Sequence, residues 1–152
     1  MNSIRLRIRD AILLALNTSR PGGVPVANGR RYIPGEPLRD AEMGVFLLGE
    51  SAAPGGGRMG PLTARELRGV VQPRAIAFDS SHTEDAVDAA LRWCTEILFD
   101  APKPTAFGEL IHDIEELGTT YEVVQGDQLY VVATLQFLVR YQTQRADLTL
   151  RS

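Results

Sequence analysis

The chain has 152 residues, of which 44% are hydrophobic and 23% charged, and its formal net charge is -3. That is an ordinary composition for a soluble globular domain of one core, and the mild negative charge excludes a whole-surface electrostatic footprint for nucleic acid. No run approaches the roughly eighteen apolar residues of a membrane span, and the apolar stretch Ala11 to Leu16 is too short for a secretory leader, so the chain is expected to be made in the cytosol and to have no membrane partner.

Ser3 to Thr18 reads as a helix. Ile4, Ile8, Ala11, Ile12 and Ala15 recur at helical spacing, Arg5 and Arg9 mark a charged side, and Pro21-Gly22-Gly23 ends it. Residues 19–40 are expected to be a mobile loop. Within it, Val24 to Leu38 carries Pro25, Pro34, Gly35 and Pro37, and Asn28-Gly29 signals a tight turn, so a small hairpin or ordered loop is expected, with Arg30 and Arg31 at its exit. Met43 to Leu48 predicts a short apolar strand. Ser51 to Leu62 holds three consecutive glycines and two prolines and predicts an irregular, mobile loop. Arg65 to Asp79 predicts one long strand, broken or bulged near Pro73.

Ser81 to Phe99 predicts a helix opened by a Ser81–Glu84 capping box. Val87, Ala90, Leu91, Cys94, Ile97 and Leu98 form its apolar stripe. Cys94 stands alone, so no intramolecular disulfide is possible, and its place in the stripe makes it a core residue. A second helix is expected from about Ala106 to Leu117, with Leu110, Ile111, Ile114 and Leu117 inward and Gly118 at its C-terminal cap. Tyr121 to Val124 reads as a strand, and Gln125-Gly126-Asp127 turns it into the last element.

That element, Gln128 to Thr143, alternates almost without error. Leu129, Val131, Ala133, Leu135, Phe137, Val139 and Tyr141 share one face. At about 3.3 Å per residue such a strand spans roughly 50 Å. A compact chain of this size is about 40 Å across, so the strand either bends or projects. Its far end, Arg140 to Gln144, is the expected contact with a neighbouring copy. Residues 145–152 form a polar tail. Without strand–helix alternation, the fold class is α+β: a mostly antiparallel, mixed sheet of four to five strands with helices on one face, in a single domain spanning 1–152.

The chemistry-bearing patterns are sparse. Gly55-x-Gly57-x-x-Gly60 with Asp79 about twenty residues later matches the dinucleotide fingerprint. A helix after it, about Thr63 to Val71, would be short, contain Gly69 and run into Pro73. No Gly-Lys-Ser/Thr follows, so a phosphate loop of that kind is absent. Ser80, Ser81 and His82 beside Asp79 are too close in sequence to converge as a triad. His82 and His112 have no zinc spacing. Glu84, Asp85 and Asp88, and Asp113, Glu115 and Glu116, read as solvated acidic faces. No catalytic residue, cofactor or metal site is expected, and the chain is not expected to be an enzyme. Basic charge is almost all arginine, Lys103 being the one lysine. Arginine suits bidentate interface contacts.

The order of elements resembles the tail terminator proteins of long-tailed bacteriophages, the family typified by minor tail protein U of phage lambda. The resemblance spans about Ile4 to Thr143. It is carried by DAILLALN at the end of the first helix, MGVFLLGE in the short strand, and AIAFDSSHTEDAVDAALRWCTEIL in the strand and long helix. FGELIHDIEELGTTYEVV and the final YVVATLQFLVRYQT complete it. The glycine-rich stretch and the polar tail differ from the lambda pattern. The resemblance implies a virion protein, assembled in the host cytoplasm, that forms a homohexameric ring on the head-proximal end of the tail tube. There it stops tube polymerisation and meets the head–tail connector, while DNA passes through the lumen without sequence-specific binding. The implied partners are other copies of itself, the tail tube protein and the connector. Candidate interface residues are Arg30, Arg31, Arg58, Met59, Arg65, Arg68, Arg140, Gln142 and Gln144. The alternatives are another head–tail connector or tail completion protein, or a small nucleotide-binding enzyme using Gly55 to Gly60.

Overall fold

The computed structural model describes residues 3–29, 42–52, 58–59, 62–76, 80–100, 111, 113–125 and 129–144. Their order is α1 (Ile4–Asn17), β1 (Ala27–Asn28), β2 (Glu42–Ala52), β3 (Arg58–Met59), β4 (Leu62–Ile76), α2 (Ser80–Thr95), β5 (Asp113–Gln125) and β6 (Leu129–Gln144). One mixed sheet runs β1-β2-β4-β6-β5, with β3 attached to β4. β1 and β2 are parallel and every other pair is antiparallel. Both helices pack on one face, so the α+β architecture is as the sequence predicts.

α1 starts where Ser3 accepts a hydrogen bond from the Leu6 amide at 3.3 Å. Ile8, Ile12 and Leu16, one turn apart, are buried against the sheet. Ser19 and Gly23 take positive φ beyond the helix and turn the chain back. The Asn17 side chain then pairs with the backbone of Ala27, donating to its carbonyl at 2.9 Å and accepting from its amide at 2.8 Å. This side chain acts as a substitute strand and pins β1 beside β2. In α2, Val87, Ala90, Leu91, Cys94 and the following Leu98 are buried as the stripe predicts. The helix loosens into a wide π turn over Glu96–Asp100, which keeps Leu98 in the core. The Trp93 indole donates to the Leu16 carbonyl at 2.8 Å and ties the helices together.

The core face of the sheet is built from Met43 and Val45 on β2, Leu67, Val71 and Ala75 on β4, and Ala133 to Tyr141 at alternate positions on β6. Gly69 and Phe137 face each other at its centre. A Cβ at Gly69 would sit 2.4 Å from the Phe137 ring, so only glycine leaves room for the ring to lie across β4.

Several expectations need correction. The predicted second helix ends inside a strand: Asp113 to Leu117 belong to β5, and Ile114 lies opposite Val139. Spacing of three along Ile111, Ile114 and Leu117 imitated a helix. Ile111 precedes the strand, Ile114 faces the core, and Leu117, 43% exposed, is the extra residue where the register shifts between Glu116 and Gly118. Gly118, at φ 149, is a bulge residue rather than a helix cap. β4 is not bulged at Pro73: it pairs with Met43 in register, though the ladder to β6 skips Gln72 and Pro73, and the bulge is at Leu48 in β2, opposite Arg68 and Gly69. β2 is longer than Met43 to Leu48, so Ser51 and Ala52 are strand, as are Arg58, Met59 and Leu62 in the expected loop. Ala27–Asn28 pairs in parallel with β2 instead of forming a hairpin. The end of β6 does not project as a lone strand. It is paired with β4 as far as Gln144, and Tyr141 is buried. The side chains of the Ser81–Glu84 capping box lie outside the described residues.

Adding one methyl group at Gly69 is expected to destabilise the fold by about 1–3 kcal/mol, because the buried Phe137 ring has nowhere to go. A Gly69→Ala, Phe137→Leu double variant should recover part of that loss relative to the sum of the single changes, as read by urea unfolding.

Candidate functional site

The β4–β6 register gathers most of the sequence-predicted contact residues at one end of the sheet. Arg65 lies opposite Tyr141, Ala64 opposite Gln142, and Leu62 opposite Gln144. β3 brings Arg58 and Met59 to the same end by pairing with Thr63 and Leu62. Arg68 lies midway along β4, opposite Leu138 and beside Gly69. Arg30 and Arg31 lie outside the described residues. Alternation separates the gathered side chains: Arg65 shares the helix-facing side with Leu67, whereas Arg68, Arg140 and Gln142 share the other.

On the helix-facing side the controlling feature is the bulge at Leu48. Before it, Met43, Val45 and Leu47 face the helices; after it the parity changes, and Glu50, opposite Leu67, faces them instead. A carboxyl group is thereby turned towards α1. The Tyr141 hydroxyl donates to the Glu50 carboxylate. Burial raises the Glu50 pKa above the ordinary value, against the opposing pull of the Arg5 and Arg65 charges. Arg65 Nε is itself buried and makes no hydrogen bond. Beside this group, Ser3, Arg5, Leu6, Leu47, Glu50 and Leu67 border a cleft of about 320 Å³.

On the other side Arg140 is engaged within its own chain. It reaches Asp113 at 2.9 Å, Glu115 at 2.7 Å and Glu66 at 3.4 Å, joining β4, β6 and β5. Hydrogen bonding to Glu115, then to Asp113, raises the pKa of the guanidinium. Asp113 and Glu115 are thus two partners on one face of a strand, not a solvated helical surface. Arg68 is exposed and borders a shallow cleft with Gly49, Glu66 and Leu138.

The sequence reading missed two polar groups. One is Glu50 with Tyr141, brought together over 91 positions of sequence. The other is Arg74, only 2% exposed, which bonds Glu42 at 3.1 Å and Gln72 at 3.2 Å. The alternation of β4 puts Arg74 on the face away from the helices, and that parity was the available signal. Cys94 lies 3.3 Å from Met43 Sδ, and burial pushes its thiol up to about 12, which keeps it protonated and unreactive at neutral pH.

The glycines of the dinucleotide pattern lie outside the described residues, but the segment after them is β4, so no helix N-terminus follows to receive a pyrophosphate. His82 sits in the first turn of α2, as its position predicts. Among the described residues no group of His, Cys, Asp or Glu has the makings of a metal site, and no helix is long and apolar enough to cross a membrane. The sequence matches no protein-family profile and no curated protein.

Because the folded chain holds a proton on Glu50 more tightly than the unfolded chain does, the stability tied to this group is present below the ordinary glutamate range. It is lost as pH rises through the raised value. Glu50→Gln, which accepts from Tyr141 but cannot ionise, is therefore expected to gain on the parent protein between about pH 4 and about pH 7. Urea unfolding at both pH values reads the difference, and an advantage that shrinks with pH would contradict the assignment.

Proposed function

We propose that this chain is a structural assembly protein, a tail terminator of a long-tailed phage. It closes the head-proximal end of the tail tube as a homohexameric ring, stops tube growth and offers a surface to the head–tail connector. Its partners are its own copies, the tail tube protein and the connector, and DNA crosses the ring through the lumen without being read. It belongs to the virion and is assembled in the host cytoplasm.

The observation that carries this reading is convergence. Arg58, Met59, Arg65, Arg140, Gln142 and Gln144 come from three strands, and β-pairing gathers them towards one end of one sheet, with Arg68 midway along β4. A sheet end where β2, β3, β4 and β6 all finish offers backbone and side chains for an axial partner, such as the rim of a tube. Arg68, exposed midway along β4 on the face away from the helices, is the residue best suited to an acidic partner that reaches over the sheet end, since Arg140 already holds three carboxylates. The lateral edges of the sheet remain for neighbours within the ring, and a closed ring needs two different lateral surfaces.

Added to polymerising tail tube protein, the chain is expected to shorten the tubes and to cap one end of each with a ring visible by negative-stain electron microscopy. Arg68→Glu should weaken capping at least tenfold in the protein concentration required, while leaving the unfolding midpoint unchanged. Tube lengths indifferent to saturating protein would refute the reading.

A further inference from the structure

Among the described residues the helix layer is narrower than its sheet. Five strands at about 4.8 Å each need roughly 24 Å of cover. Two helices of about 10 Å give roughly 20 Å. α1 packs mainly on β1 and β2, and α2 on β4 and β6. β5 packs on the π turn that continues α2, and Ile114 near its start is buried, but the side chains further along record a shortfall. Tyr121 lies opposite Ala133 and Val123 opposite Val131. Yet Tyr121 is 65% and Val123 64% exposed, while Ala133 is fully buried. Between α2 and β5 this leaves a groove of about 510 Å³, lined by Asp85, Val87, Asp88, Tyr121, Val123 and Val131. Its floor is apolar and its rim acidic.

The opposite lateral edge has the complementary character. There α1 exposes Leu14 at 70%, and Val26, next to β1, is 54% exposed. α1 carries Arg5, Arg7 and Arg9 against a single acid, Asp10. Arg7 and Leu14 are two turns apart and so share a stripe. Arg5 and Arg7 also stand in the first turn, where the helix dipole disfavours cations; Glu50 faces Arg5, but α1 has no acid of its own in that turn to offset Arg7. An acidic partner surface would relieve that mismatch.

We propose that the α2–β5 groove is the docking site for α1 of a second copy of this chain. Leu14 of one copy enters the groove against Tyr121 and Val123 of the next, and Arg7 meets Asp85 on its rim, where Asp88 is already paired with Arg92 at 3.0 Å. The visiting helix covers Tyr121 and Val123. Charge also selects the geometry. Groove against groove would oppose acids, and α1 against α1 would oppose arginines. Two-fold pairing is therefore disfavoured, and a head-to-tail contact, which closes into a ring, is favoured. The inference rests on the ring reading above and names its lateral contact.

Leu14→Asp disables only the donor edge and Val123→Asp only the groove. Both positions are exposed, so circular dichroism should show each variant folded. Each is expected to remain monomeric by light scattering where the parent protein forms rings. An equimolar mixture should give a 1:1 heterodimer of twice the monomer mass and nothing larger, because one intact contact remains. If the parent is monomeric in solution, the same samples are read by tube capping, which each single variant should lose. Rings or capping unchanged by both substitutions would overturn this contact and leave the ring reading standing. A parent protein that neither forms rings nor caps tubes would overturn both.

Discussion

The Phe137 ring lying across Gly69 fixes the molecule. β4 and β6 are the two central strands, and their pairing sets the position of everything attached to them. A slip of one residue would turn the apolar face of β6 outward and drive a side chain of β4 into the ring. With the register locked, Arg65 must meet Tyr141, Glu66 must meet Arg140, and the ends of β3, β4 and β6 must finish together. The gathering of most candidate interface residues towards one end of the sheet is therefore a consequence of core packing.

Two bulges adapt this rigid centre to its surroundings. The one at Leu48 reverses the parity of β2 and carries Glu50 under α1, where the Tyr141 hydroxyl receives it. The one before Gly118 reverses the parity of β5. Asp113 and Glu115 thereby lie on the Arg140 side, while Tyr121 and Val123 still face the helix layer further along. An unbulged β5 would satisfy one of these requirements and fail the other. Narrow helical cover then leaves Tyr121 and Val123 in the open. One sheet thus carries polar side chains gathered towards its end and unlike surfaces on its two sides, the arrangement on which the proposed ring rests.

The sequence by itself determined the α+β class, α1, α2, the apolar stripe with Cys94 in it, and the inner face of β6. Each rests on a periodicity of 3.6 or 2 sustained long enough to exclude the alternative. It did not determine β5, because Ile111, Ile114 and Leu117 at spacing three fit a helix as well as a bulged strand. Nor did it determine the position of the bulge. Pro73 looked like the fault in β4, but it passes in register, and the extra residue is Leu48 on the strand beside it. Only the tertiary structure decided that Arg140 is bound within the chain, that Glu50 meets Tyr141, and that Tyr121 and Val123 stay exposed. These depend on which strands become neighbours and how far the helices reach across them, and local spacing carries no record of either.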